Sequence, residues 1–439
     1  MTHGPRRWLG ALLAYPAPRA VRRNAAWSLL EGALANLSTG VLGSFLGVYV
    51  VRLGGPVLLV GLASALPPLL ASFVQPWAVR LIARQGARPV MLRWALAARA
   101  GLLLLAAVPL LPAPGPVLAW LLVLATTLAN GAATLALVAW TALMAQLFPG
   151  HLRGRVFGDR NLFVSLTTLL GTLLGGLFLD LLGTRLGSAA GLFAGGAAAV
   201  ASWLFLRRLQ PPEAGGAPAA AQGGAIGGIR GEGGAERPGD LEVAREALRR
   251  PLPRLVFLGG AIFQAGLMLP AAAYPIFYVR LLHLPGSWIS LIGMGSSLAA
   301  ILTSRLWGIW HDRRGVLWTY AASTALFLAV PLVYAWARNP WLLLLANSVT
   351  GIGAAGYTIA NFNAVLAVAR PEERTALVAL FNLVLYALAA VAPLVGTALL
   401  PLAGVPGLFL LAGAGRATGA LLFAWARRRW GEPRATPTA

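Results

Sequence analysis

Two oppositely charged side chains lie inside otherwise apolar segments, and they are the residues best suited to chemistry. Glu31 lies in the apolar stretch 25–51, and Arg160 lies a turn or so into the stretch 156–182. An ionisable side chain at the centre of a membrane helix costs about 2.5–3.5 kcal/mol, so each is a candidate functional group. Glu31 could bind and release a proton and thereby couple transport to a proton gradient, or it could be a structural partner of Arg160. We predict an ion pair between them and leave both roles open.

The other residue types that carry chemistry do not assemble into a site. The chain has no cysteine, so no thiolate ligand or nucleophile is available. The four histidines lie outside the apolar segments and far apart, and no phosphate-binding G-x-x-x-x-G-K-[ST] loop is present. We therefore expect no catalytic residue, no metal site and no cofactor. The chain is not expected to be an enzyme, and an ion gradient is a more suitable energy source than ATP.

The composition predicts an all-α membrane protein. The 439 residues are 58% hydrophobic and 11% charged, with a mean hydropathy of +0.74, whereas soluble domains are about 45–50% apolar and about 25% charged. A membrane helix needs about 20 apolar residues. Twelve such segments are separated by Arg, Pro or Gly, at residues 25–51, 57–82, 90–112, 116–147, 156–182, 187–206, 254–282, 286–310, 316–337, 341–369, 375–401 and 405–426.

The twelve segments form two groups of six. Residues 209–240, between the groups, are rich in Gly, Ala and Pro, which predicts a flexible linker, and Leu241–Arg250 has the pattern of a short amphipathic helix. The predicted domains are a cytoplasmic N-terminal arm (1–24), an N-terminal six-helix bundle (25–208), a cytoplasmic linker (209–253), a C-terminal six-helix bundle (254–427) and a cytoplasmic tail (428–439).

The strong positive charge follows the predicted topology. The net charge is +22, and only four arginines, Arg52, Arg185, Arg280 and Arg338, fall in connections on the odd-numbered side. The positive-inside rule then places both termini in the cytoplasm of a protein of the inner, cytoplasmic membrane. Because the charge is distributed over every cytoplasmic connection, we reject nucleic acid as a partner.

The two groups of segments repeat each other at an offset of about 222 to 229 residues. Val51-Arg52-Leu53 aligns with Val279-Arg280-Leu281, and Pro149, Arg153 and Asn161 align with Pro371, Arg374 and Asn382. Six spans per repeat keep both copies in one membrane direction, so their axis should run along the membrane normal, with a substrate site near the midplane. Glu31 and Arg160 align with Gly259 and Phe381, so the suspected pair belongs to the first copy alone.

A short loop motif connects the sequence to a known family. Residues 308–315 carry an intact G-x-x-x-D-R-x-G motif, with Gly308, Asp312, Arg313 and Gly315 in its fixed positions, whereas the first copy keeps only Arg84 and Gly86. Loops that run from Pro to Arg precede the fifth and eleventh segments: Pro149–Arg155, which contains Arg153, and Pro371–Arg374. In these features the chain resembles the major facilitator superfamily over all but its tails and linker. The resemblance implies that Asp312 belongs to a cytoplasmic latch.

The resemblance also implies twelve transmembrane helices in two pseudo-symmetric bundles and transport of a small solute by alternating access, by a monomer surrounded by membrane lipid. Proton-coupled, drug-like efflux is favoured, because a first-helix carboxylate resembles multidrug antiporters, whose glycine motif is partly present as Gly171, Gly175 and Gly176. A sugar or metabolite transporter and a non-transporting receptor are the alternatives. The polar side chains implied to line the cavity are Asn36, Gln75, Asn130, Gln264, Tyr274, Asn361, Asn363, Asn382 and Tyr386.

Two further arginines fall inside predicted spans. Arg99 is expected to extend along its own helix towards the cytoplasmic interface. Arg416 falls nearer mid-span with no obvious acidic partner, and the sequence offers no explanation for it.

Overall fold

The computed structural model describes residues 18–148, 150–210 and 240–433. These residues form thirteen α-helices and no strand. The helices of the first half are α1 (Arg19–Arg52), α2 (Val57–Gln85), α3 (Ala87–Leu104, continued by a 3₁₀ helix at Leu105–Leu110), α4 (Gly115–Leu147) and α5 (Gly150–Leu206). Those of the second half are α6 (Asp240–Arg249), α7 (Pro251–Met268), α8 (Ala273–Ile276, continued by a π-helix at Phe277–Leu281), α9 (Gly286–Arg314), α10 (Val316–Leu326), α11 (Ala329–Trp336), α12 (Pro340–Val368) and α13 (Arg374–Trp430).

Two of the helices are long enough to cross a membrane twice. Both α5 and α13 have 57 residues, which at 1.5 Å per residue is about 86 Å, against about 30 Å of hydrocarbon. Each is broken at a glycine with positive φ, Gly183 (73°) and Gly404 (64°), a conformation that glycine adopts without steric cost. Both breaks fall in predicted gaps between segments. With the ten apolar spans found among the described residues, these breaks confirm the predicted twelve-helix fold.

The backbone repeats along with the sequence. Outside the C-terminal end of α13, each residue with positive φ in the described part of the chain has a partner at the spacing of the sequence repeat. The pairs are Gly54 (78°) with His283 (51°), Gly86 (85°) with Gly315 (89°), and Gly183 with Gly404. The same three turns are therefore built twice, which agrees with two pseudo-symmetric bundles.

The described residues pack as two compact units. Unit 1 draws them from Met1–Phe45, Phe73–Ala113 and Leu124–Gly234, and unit 2 from Leu46–Ser72, Pro114–Val123 and Ala235–Ala439. The core of unit 1 contains Leu29, Met91 and Met144 from three different helices. In the core of unit 2, Tyr320 stacks on Phe423 with ring centroids 3.8 Å apart. The domain boundaries drawn from the sequence remain predictions, and most of the N-terminal arm, the linker and half of the tail lie outside the described residues.

The predicted amphipathic helix at the end of the linker is α6. Its Ala247 is buried in unit 2 against Val365 of α12 and Phe381 of α13. Just after α6, Arg250 forms an ion pair with the buried carboxylate of Glu373. The apolar face and this ion pair together attach the end of the linker to unit 2.

Candidate functional site

Glu31 lies in unit 1 between two guanidinium groups. Its Oε1 accepts a hydrogen bond from Arg99 Nη2 at 2.5 Å, and its Oε2 accepts one from Arg160 Nη2 at 3.2 Å. Glu31 is 4% exposed and Arg99 is 8% exposed. The structure thus brings Glu31 and Arg160 together, and it adds Arg99. Arg99 does not extend towards an interface as expected, because a carboxylate within reach on α1 stabilises its charge where little water is available.

Arg160 is held against α1 by several groups besides Glu31. Its Nε donates to the backbone oxygen of Ser28 at 3.3 Å, and its Cζ lies 4.6 Å from the ring centroid of Trp140 on α4, a cation–π distance. A Cβ atom at Gly32 would lie 2.7 Å from that Cζ. Glycine at position 32 therefore leaves the room in which the guanidinium lies against α1.

We call Glu31, Arg99, Arg160 and Trp140 the Glu31 cluster. The cluster has more hydrogen-bond donors than acceptors and more positive than negative charge. It contains two guanidinium groups and one carboxylate. Arg99 Nη1 and Trp140 Nε1 are buried and have no hydrogen-bond partner among the described residues. Buried polar groups are nearly always hydrogen-bonded, so two such donors in one cluster require an explanation.

The polar residues expected to line a cavity divide into several groups. Asn36 and Asn130 donate to carbonyl groups of their own helices, Gly32 O at 2.8 Å and Thr126 O at 2.9 Å. In unit 2, Gln264 accepts from Tyr357 at 3.4 Å and Asn361 accepts from Tyr320 at 2.6 Å. The hydroxyl of Tyr274 accepts a hydrogen bond from Arg416. The side chains of Gln75 and Asn363 are half-buried, whereas those of Asn382 and Tyr386 are exposed. Their contact with a substrate remains a prediction.

The loop motif lies at the end of α9 and the start of α10. Asp312 and Arg313 are exposed, and Asp312 forms no ion pair with the described residues. Of the remaining predicted gating residues, Gly308 lies in α9, Arg84 and Gly86 are exposed around the end of α2, and Arg374 is half-buried at the start of α13. The side chain of Arg153 lies outside the described part of the chain. The latch role of Asp312 stays a prediction.

A different carboxylate caps α10. Glu432, just beyond α13, accepts hydrogen bonds from the backbone N–H groups of Leu317 at 2.9 Å and Trp318 at 2.8 Å. These are unsatisfied donors of the first turn of α10, which a carboxylate stabilises through both hydrogen bonding and the helix dipole. The sequence did not predict this contact, because Glu432 follows the last apolar segment and no local pattern shows that the chain there returns to the start of α10.

Arg416, which the sequence left unexplained, is bonded to neutral oxygens in unit 2. It is 1% exposed. Its Nε donates to Gly266 O at 3.2 Å, its Nη1 to Phe327 O at 2.9 Å, and its Nη2 to the hydroxyl of Tyr274 at 3.2 Å.

The two carbonyl groups that bind Arg416 share one property. Pro270 lies four residues after Gly266, and Pro331 lies four residues after Phe327. Proline has no N–H, so each carbonyl lacks the donor that an α-helix supplies from position i+4. Arg416 replaces both missing donors and joins the break after α7 to the break between α10 and α11.

Two arginines that are partners in the sequence repeat make reciprocal contacts within unit 2. Arg52 Nη2 donates to Leu284 O at 3.1 Å, and Arg280 Nη2 lies 3.4 Å from Gly55 O. Leu284 and Gly55 are themselves repeat partners. Nearby, a Cβ atom at Gly47 would lie 2.6 Å from Pro275 Cγ. The end of α1 and the end of the π-helix therefore meet with approximate two-fold symmetry.

This reciprocal contact can be tested in a chain that has no cysteine of its own. The reporter is Thr397→Cys, a buried position whose hydroxyl would lie 2.2 Å from a Cβ atom at Gly61 in the first turns of α2. Adding Arg52→Ala and Arg280→Ala should raise its rate of maleimide modification about tenfold, which is equivalent to about 1.4 kcal/mol of lost contact free energy. The control is Glu246→Cys, an exposed position on α6, whose rate of modification should not change. Unchanged labelling of Thr397→Cys would mean that the two arginines do not stabilise the packing around this position.

Comparison with known proteins identifies the family. The family model described as Major Facilitator Superfamily matches residues 30–271 and again residues 256–439. The chain belongs to the major facilitator superfamily. It is therefore a multi-pass membrane protein with the fold of a secondary transporter of small solutes. The two matches follow the two halves of the sequence repeat.

Several solved structures share this fold at low sequence identity. The nucleoside transporter NupG has 15% identity and a TM-score of 0.66, with 93% of this chain and 99% of that chain covered. A POT family peptide transporter has 13% identity, a TM-score of 0.63 and coverage of 94% and 98%. A bacterial homologue of the iron transporter ferroportin has 13% identity, a TM-score of 0.66 and coverage of 92% and 98%. No curated protein matches this chain in sequence.

Proposed function

We propose that this chain is a proton-coupled secondary transporter in which Glu31 carries the proton. The observation that supports the proposal is a single carboxylate buried between two guanidinium groups on different helices. Both arginines supply counter-charges to the Glu31 carboxylate. If a conformational change withdraws them, a lone buried carboxylate is costly and binds a proton instead. Alternating access would thereby couple the movement of these arginines to proton binding and release at Glu31.

We propose further that the protein is a monomer surrounded by lipid in the cytoplasmic membrane, with both termini in the cytoplasm. Export of drug-like solutes is favoured by the resemblance of Glu31 to the carboxylate of multidrug antiporters. A metabolite transporter is the second candidate. It is favoured by the net positive charge of the Glu31 cluster, which disfavours cationic drugs. A non-transporting receptor would show no exchange of solute across a vesicle membrane.

Variants of the ion pair test the proposal in proteoliposomes. A panel of nucleosides, peptides, amphipathic cations and organic acids is assayed for counterflow and for transport driven by a pH gradient. We expect Glu31→Gln to abolish gradient-driven transport and its pH dependence while counterflow continues, because exchange needs no net proton movement. Arg160→Gln should weaken both activities, since it also disrupts the packing of α5 on α1.

The matched control is Glu246→Gln, an exposed carboxylate of α6 that forms an ion pair with Arg249. It should transport like the wild-type protein. Flux that stays pH-dependent in Glu31→Gln, in Arg160→Gln and in the double variant would refute a role for Glu31 in coupling.

A further inference from the structure

We propose that the Glu31 cluster binds the anionic group of the substrate, so that the transported solute is a monovalent organic anion that binds together with one proton. This inference rests on the proposed proton coupling at Glu31. It names the substrate class, which neither the fold nor the resemblance to multidrug antiporters supplies.

The charges that face Glu31 set the preference for an anion. Arg99 faces it from α3 and Arg160 faces it from α5, and α4 carries no ionisable residue between Gly115 and Leu147. On α5 itself, Asp159 is the nearest carboxylate in sequence, but adjacent residues of a helix point about 100° apart. The cluster therefore carries a net charge of +1, which repels cationic solutes in an environment of low dielectric constant.

The unsatisfied donors of the cluster indicate what is missing. Arg99 Nη1 and Trp140 Nε1 are both buried and have no acceptor among the described residues. Arg99 is more than nine-tenths buried, whereas the Arg160 side chain is 15% exposed and leaves the cluster accessible on that side. Carboxylates match the planar donor arrangement of arginine and form the strongest hydrogen bonds with it. An organic carboxylate is thus the ligand that best completes this site.

Proton and anion would bind in a linked exchange. Protonation makes Glu31 neutral and leaves Arg99 and Arg160 without a counter-charge. A substrate carboxylate then accepts from the Nη2 atoms of Arg99 and Arg160 that Glu31 held, and also from Arg99 Nη1, which has no acceptor among the described residues. The cluster has a net charge of +1 before this exchange and +1 after it, so no additional charge is buried. Release of the anion and of the proton reverses both steps.

The test uses three probes with the same ring and different charge: benzoate, benzyl alcohol and benzyltrimethylammonium. Binding to the purified full-length protein is measured by calorimetry at two pH values, and proton uptake is measured in weak buffer. We expect binding of benzoate alone, with uptake of one proton per anion. Its affinity should rise up to about tenfold for each unit of falling pH, as required when one proton is linked to binding.

Two variants and one control complete the experiment. Glu31→Gln imitates the protonated carboxylate, so it should bind benzoate without proton uptake and with no dependence on pH. Arg160→Lys keeps the charge but loses the planar donor pair, so it should bind benzoate more weakly than the wild-type protein. Glu246→Gln should behave like the wild-type protein. Melting temperatures establish that each variant is folded.

The outcomes separate this inference from the proposed function. If benzoate fails to bind, or if the cation or the alcohol binds as tightly, the anion proposal is wrong, and proton coupling can still be established from Glu31→Gln in the transport assay. Binding of benzoate without proton uptake by the wild-type protein would overturn the linked exchange at Glu31.

Discussion

Replacement of Arg416 by methionine is expected to lower the free energy of unfolding in detergent by about 2–4 kcal/mol. The substitution removes the donors that satisfy Gly266 O and Phe327 O. Each buried acceptor left without a partner costs about 1–3 kcal/mol, and part of this cost is offset because a buried guanidinium is also removed. The measurement is thermal or denaturant unfolding of the purified protein.

The role assigned to Arg416 makes a sharper prediction when the prolines are also changed. In a background with Pro270→Ala and Pro331→Ala, residues 270 and 331 regain N–H groups that can serve Gly266 O and Phe327 O within their own helices. Arg416→Met should then cost less than half as much as in the wild-type background, and a double-mutant cycle measures the difference. An equal cost in both backgrounds would show that Arg416 does not replace the missing helix donors.

Arg416 also shows what the sequence could and could not supply. The two prolines, Pro270 and Pro331, lie inside apolar segments and predict two carbonyl groups that lack helical N–H donors. The mid-span Arg416 predicts a set of donors that need acceptors. Both signals were present in the sequence. What was missing is the packing of α13 against α7 and α10, which decides that these groups meet, and no local pattern encodes that packing.

The twelve spans were predictable because their causes are local. Apolar runs of membrane length, and turns that need positive φ at Gly183 and Gly404, depend on nearby residues alone. The contact between Glu31 and Arg160 was predictable for another reason. Charged residues are so rare inside spans that two of opposite sign are good candidates for a pair. The prediction for Arg99 was wrong because a long side chain can also reach water by extending along its own helix. Only the short distance between α1 and α3 shows that Arg99 binds Glu31 instead.

The carboxylate that caps α10 depends on chain segments that are distant in sequence. The motif at residues 308–315 ends where α10 begins, but the carboxylate that binds the first N–H groups of α10 is Glu432 from beyond α13. A short segment after a helix has many possible paths, and the sequence does not select among them. No local pattern in the sequence therefore identifies Glu432 as the residue that caps α10.

Replacement of Gly171 by valine is expected to destabilise unit 1 by more than about 3 kcal/mol, above the usual range for an overpacked side chain. A Cβ atom at Gly171 would lie 2.1 Å from the backbone oxygen of Leu37 on α1, and a Cβ atom at Gly40 would lie 2.1 Å from that of Thr168 on α5. Backbone atoms cannot rotate away as side chains do. The partial glycine motif of the fifth segment thus has a physical role, which is the close approach of two membrane helices.

The matched control is Gly158→Val in the same helix, where nothing lies within 4 Å of the added Cβ atom, so its melting temperature should stay close to that of the wild-type protein. Since α1 carries Glu31 and α5 carries Arg160, separating these helices should also weaken their ion pair. We therefore expect any Gly171→Val protein that remains folded to lose gradient-driven transport. A folded Gly171→Val protein with normal stability and normal coupling would contradict the inference that the spacing of α1 and α5 positions the Glu31 cluster.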